Sequence, residues 1–248
     1  MSAHEWLAWL ASLPPGARDT AVEERLGIAT GDAASPATRP PDFESRHRPS
    51  GGCLGEHLVG YHASGVASIV RALVEAPVVA SDVLVDLGSG LGKVVLLARL
   101  LTGATARGVE LQPALALRAR AAADRLGIDV RFTDGDAREV DLDDGTVFFL
   151  YVPFTGPVLA EVLGRLRAIA KRRAIVVCAL GVELHREARW LTPRPSDSFW
   201  LTIYDSAEPG TAPRAGARSP LADDEAATVV ARDAATADGD RERLSARG

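Results

Sequence analysis

Between residues 83 and 205 the chain alternates short runs rich in β-branched and aromatic residues with longer segments whose apolar residues recur at helical spacing. VLVDL is followed by a glycine-rich turn and by KVVLLARLLTG, which Gly103 closes. The alternation continues through ARGVEL, then PALALRARAAADRLG with Pro113 at its start and Gly127 after its end, then DVRFTDGD. TVFFLYVPF, GPVLAEVLGRLRAIAK and RAIVVCAL complete it, before two strand-like pieces, ARWLTPR and FWLTIYD. Parallel strands need a crossover, normally a helix, so this rhythm restricts the fold severely. It predicts an α/β architecture: one doubly wound, mostly parallel sheet with helices on both faces, ending in a terminal pair of strands. A chain of 248 residues that is 47% hydrophobic can bury a core of that size.

The flanks read differently. Trp6, Leu7, Trp9, Leu10 and Leu13, then Val22 and Leu26, give two short helical patterns that predict a small N-terminal cap. SPATRPPDFESRHRPSGG, residues 35–52, has the composition of a linker or exposed arm. EHLVGYHASGVASIVRALVEA reads as a helix ended by Pro77. From residue 206 to 248 large apolar residues are scarce, which predicts an open tail. The expected organisation is a cap and linker over 1–52, a central domain over 53–205 and a disordered tail over 206–248.

Composition excludes several function classes. The formal net charge of -5 disfavours non-specific binding to nucleic acid or to an anionic membrane, while a basic partner is tolerated. Cys53 and Cys178 lie far apart without a CxxC or Cys/His cluster, so neither a disulfide framework nor a zinc site is expected. The opening MSAHEWLAWLASLPPG lacks a basic n-region and is too short in apolar residues to span a bilayer, which points to a cytoplasmic protein.

The glycine turn carries the chemistry. A phosphate loop would need glycine where Leu87 stands and a hydroxyl where Val94 stands. A dinucleotide fingerprint would need its third glycine at Lys93, but the glycine falls one residue early, at Gly92. The pattern present is Asp86-x-Gly88-x-Gly90-x-Gly92. An acid at the strand end repels a pyrophosphate and suits a ligand with a cationic group, while the glycines let the backbone approach it. Glu110 closes the next strand, where a carboxylate can accept from both ribose hydroxyls of an adenosine; a charge at the helix start near Pro113 is the plainer alternative.

These motifs resemble the class I, seven-strand S-adenosylmethionine-dependent methyltransferases over roughly residues 57–204. The resemblance implies a Rossmann-like fold and an S-adenosylmethionine site built from Asp86, Gly88, Ser89, Gly90, Gly92, Glu110, Leu111, Asp136 and Ala137. Within it, Asp86 helps bind the amino end of the donor, and Asp136 of FTDGDARE accepts from the adenine amino group, with Ala137 lining the ring. Asp134 is the alternate acceptor, and a cap on the following turn is the structural alternative for Asp136. The segment facing the methyl group is Tyr151-Val152-Pro153-Phe154, where many amino-group methyltransferases carry Asn/Asp-Pro-Pro-Tyr/Phe. Tyr151, Pro153 and Phe154 are the expected acceptor-facing residues, their aromatic faces able to hold an amine; a rigid turn closing the strand is the alternative. Tyr61, and His62 as a general base, lie on a helix that borders the donor cleft in the family.

Methyl transfer from a sulfonium is an in-line displacement that needs alignment and, for a protonated nucleophile, proton removal, with no metal. Asp141, Asp143 and Asp144 precede the fourth strand and read as a solvated turn. VDLGSGLGKVVLLARLLTGATARGVEL is most similar to non-SET protein lysine methyltransferases, which implies a protein lysine as acceptor; a small-molecule N- or O-methyltransferase is the alternative. An NAD-dependent oxidoreductase and a non-catalytic donor-binding protein are the readings from other classes. Lys93, one of two lysines in the chain, is expected to be solvated at its helix start.

Overall fold

A computed structural model describes residues 1–28, 63–151, 154–198, 200–208, 219–221 and 224–230. Tyr61, His62, Pro153, Cys53 and the arm at 35–52 lie outside the described residues.

Seven strands form one sheet in the order β3-β2-β1-β4-β5-β7-β6. They are β1 (Val83–Leu87), β2 (Thr105–Glu110), β3 (Arg131–Asp134), β4 (Val147–Tyr151), β5 (Val176–Leu180), β6 (Leu191–Pro193) and β7 (Leu201–Ser206). The first five are mutually parallel, and β7 runs antiparallel to both β5 and β6. The described helices include α1 (Ala3–Ser12), α2 (Arg18–Leu26), α3 (Val66–Glu75), α4 (Lys93–Thr102), α5 (Pro113–Leu126) and α6 (Gly156–Ala170). The doubly wound, mostly parallel architecture expected from the β/α rhythm is the one present.

Local chemistry sets the element ends. Ser2 and Glu5 form a capping box at α1, and Pro113 opens α5 while Gly127, in the left-handed region at φ 62°, closes it. Two apolar layers sandwich the sheet. Leu84, Val147, Phe149, Val176 and Cys178 pack beneath the helices α1 to α5, whereas Val85, Leu87, Phe148, Val177 and Ala179 pack against α6. Each strand thus sends alternate residues to opposite faces, as the period of two requires. The strand order reverses between β1 and β4, and the carboxyl ends of those strands form the crevice where open α/β sheets bind ligands.

The cap joins the main core: Trp6, Leu7, Leu10, Val22 and Leu26 are buried in the same cluster as the sheet. The tail departs from the expectation of disorder at 224–230, which is helical, with Ala226 and Val229 buried beside Leu221. Few apolar residues suffice because they dock on a surface already formed. The buried Arg18 guanidinium joins α1 to the 224–230 helix, donating to Leu10 O at 3.1 Å and Val229 O at 2.9 Å. Among the described residues no helix is long and apolar enough to cross a membrane.

Candidate functional site

The period of two also assembles the site. In β1, Asp86 shares a face with Leu84; in β2, Glu110 shares it with Ala106; in β4, Tyr151 shares it with Phe149. All three therefore sit on the α3–α4 side of the sheet, at the carboxyl ends of adjacent strands.

The turn after β1 is held to this edge by its own backbone. Gly88 N and Ser89 N both donate to Val109 O, at 2.8 and 3.0 Å, and Gly92 N donates to Ser89 O at 2.8 Å. Gly88, Gly90 and Gly92 all have positive φ, at 85°, 52° and 82°. At Gly92 a second constraint applies, because a Cβ would stand 2.4 Å from Phe132 Cζ; only glycine meets both conditions. Ser89 turns toward β2, filling the space that the missing side chain of Gly108 leaves, and its buried Oγ has no hydrogen-bond partner among the described residues.

Glu110 stitches the turn to β2. Its Oε2 accepts from Gly90 N at 2.7 Å and its Oε1 from Gln112 N at 2.8 Å, which leaves each oxygen a further lone pair. Burial raises its pKa, against those amide hydrogen bonds. Asp86 is buried as well, but no described residue donates a hydrogen bond to it or pairs with its charge. Burial, and then the nearby Glu110 charge, push its carboxyl well above the usual range. Two neighbouring carboxyl groups are thus buried at one edge; among the described residues neither has a counter-charge, and Asp86 accepts no hydrogen bond.

Asp136 is also buried, but it is committed. Arg138 Nη2 reaches Oδ2 at 2.6 Å, Arg138 Nε lies 3.1 Å from both oxygens, and Arg138 N donates to Oδ1 at 2.8 Å. The last contact caps the turn that follows Asp136. Ala137 packs on the α6 side, Leu111 is half-buried beside Glu110, and Asp134 is exposed at the end of β3. Tyr151 is half-buried against the α3–α4 layer, whereas Phe154 is buried in the layer beneath α6. The structure thus brings Asp86, the three glycines, Glu110 and Tyr151 together, and sends Phe154 to the other face. Asp141, Asp143 and Asp144 form an exposed turn, and among the described residues no metal-binding group of three His, Cys, Asp or Glu occurs.

Lys93 corrects an expectation. Instead of being solvated it is buried, with Nζ 3.0 Å from Asp19 Oδ1 and 2.5 Å from Glu23 Oε1 of α2. Its scarcity in an arginine-rich chain was a signal, but the partners lie in a distant helix that spacing does not connect to it. Arg138 is the other missed residue; its signal was proximity, two positions after Asp136.

A solved structure of an RNA methyltransferase from Salinibacter ruber in complex with S-adenosyl-L-homocysteine is 31% identical to this chain, covers 62% of it and 97% of its own length, and superposes with a TM-score of 0.50. This chain belongs to the class I S-adenosylmethionine-dependent methyltransferases. The PH0226 protein from Pyrococcus horikoshii OT3 is 16% identical, over 58% of this methyltransferase and 92% of that chain, with a TM-score of 0.47. The tRNA (uracil-54, C5)-methyltransferase of Pyrococcus abyssi, with S-adenosyl-L-homocysteine, is 17% identical over 59% of this chain and 39% of its own, with a TM-score of 0.45. No protein-family model and no curated protein matches the methyltransferase.

Proposed function

We propose that the edge formed by Asp86, the glycine turn and Glu110 holds S-adenosylmethionine, and that methyl passes from it to an amine nitrogen at the end of β4. The observation that carries the reading is the buried Asp86 carboxyl, which stands beside Glu110 and has no partner among the described residues. Such a pair is costly where no described cation meets it, and it matches a ligand that brings an ammonium and vicinal hydroxyls. When bound, the donor supplies a methyl group on a positively charged sulfur. Asp86 holds the amino end, Glu110 accepts from the ribose hydroxyls through its remaining lone pairs, and the glycines let the backbone lie against the ligand. Ser89 supports this turn by packing against Gly108. Asp136, clamped by Arg138, shapes the adenine end with Ala137 and Leu111.

For the acceptor we favour a protein lysine. The similarity of the glycine-turn and second-strand motifs to non-SET lysine methyltransferases supports it. So does Tyr151, an aromatic face on the same side of the sheet as Asp86, and a net charge of -5 that favours a basic partner. The identity to an RNA methyltransferase favours a second reading, methylation of RNA. Incubation of the full chain with tritium-labelled S-adenosylmethionine and, in parallel, a basic-protein mixture, total RNA and a panel of small amines and phenols separates them. The lysine reading expects label recovered as methyllysine after acid hydrolysis; label that nuclease releases assigns the RNA reading instead.

A further inference from the structure

Lys93 is the first residue of α4 and follows Gly92, the last glycine of the turn. An ammonium there is in a poor place: it is desolvated, and it stands at the positive end of the helix dipole. Two carboxylates of α2 offset both penalties, Asp19 Oδ1 at 3.0 Å and Glu23 Oε1 at 2.5 Å from Nζ. The same Asp19 oxygen accepts from Val66 N at 3.0 Å, capping α3, whose own N-cap is Gly65 and has no side chain to do so. One carboxylate therefore bonds to the first residues of two helices, both of which begin at the carboxyl end of the sheet. Its neighbour Arg18 is itself immobilised by carbonyls of α1 and of the 224–230 helix, so α2 presents Asp19 from a fixed position.

We infer that Asp19 and Glu23 are positioning residues for the methyl donor, acting through Lys93 on the glycine turn. The inference rests on the reading that this turn carries the donor. The Phe132 ring fills the space beside Gly92, where a Cβ would stand 2.4 Å from Cζ, so the glycine next to Lys93 has little room to relax. Removing either carboxylate leaves the buried ammonium short of a partner. The side chain then swings toward water, Gly92 follows its neighbour, and Gly90 N shifts against Glu110 Oε2. Neither Asp19 nor Glu23 touches the donor in this account; the N-terminal cap sets donor affinity from a distance.

Calorimetric titration of the full chain with S-adenosylhomocysteine, below the unfolding temperature of every variant, tests this. Asp19→Asn and Glu23→Gln are each expected to raise Kd by roughly 2- to 30-fold, the range for residues coupled to a site they do not contact. In a Lys93→Met background Glu23→Gln is expected to add nothing, because no ammonium remains to be stranded. A fall in melting temperature with Kd unchanged, or additive effects in the double variant, overturns the inference by showing that the latch only stabilises the fold. If Lys93→Met yields no folded protein, the two single carboxylate variants decide by the same Kd criterion. Glu110→Gln serves as the control: loss of affinity there with no change at Asp19 and Glu23 rejects the latch alone, whereas no change in any variant rejects the donor assignment with it.

Discussion

The two halves of the sheet treat polar groups in opposite ways. From β4 to β5 the strands are apolar: Phe148, Phe149, Val176, Val177, Cys178 and Ala179 are all buried. From β1 to β2 the same depth of burial is given to Asp86 and Glu110, at the strand ends, and Asp86 has no charge partner among the described residues. The first arrangement stabilises the fold, and the second costs stability in the free protein. Stability and ligand recognition are therefore separable here by region, although both regions belong to one continuous sheet.

The contrast is sharpest where the effect is largest. Phe148→Ala empties a site with no exposure in the layer beneath α6 and is expected to cost about 3–5 kcal/mol of unfolding free energy. Chemical denaturation measures this, and the affinity of the remaining folded protein for S-adenosylhomocysteine is expected to stay the same. Glu110→Ala inverts the pattern: donor affinity is expected to fall by about 1–3 kcal/mol in calorimetry, or roughly 5- to 150-fold. A Phe148 variant that lost affinity as steeply as the Glu110 variant would erase the division. At the small end, Leu117 is 62% exposed on α5, and Leu117→Ser is expected to change unfolding free energy by less than about 0.5 kcal/mol and leave donor binding alone.

The strands and most helix boundaries were legible because they rest on local periodicity and on Pro and Gly punctuation. Gly103 and Gly127 close α4 and α5 where the sequence places those ends. The site was legible where its residues belong to consecutive strand ends, as Asp86 and Glu110 do. What escaped is what folding brings together from far apart. Lys93 meets Asp19 across 74 positions, and Val229 meets Arg18 across 211, so neither pairing leaves a spacing signal. Phe154 shows a different limit: the aromatic pair around Pro153 reads as one motif, but Tyr151 packs on one face of the sheet and Phe154 on the other.

Asp86 gives the comparison a pH signature. Its folded-state pKa is raised, so its contribution to the stability of the free protein is full below the ordinary carboxylate range and is lost as pH rises through the raised value. The melting temperature of the free protein is expected to decline across that window, and Asp86→Asn is expected to flatten the decline and raise the melting temperature at neutral pH. An ammonium brought by the donor favours the charged carboxylate, so binding in that window releases protons.

Calorimetric titration of the wild-type chain and Asp86→Asn with S-adenosylhomocysteine, repeated in buffers of different ionisation enthalpy, tests the central claim most directly. The account predicts proton release on binding to the wild type, and weaker binding with less proton release in Asp86→Asn. Equal affinity in the two proteins, with no buffer dependence in either, would contradict the assignment of the buried carboxylate pair to the methyl donor.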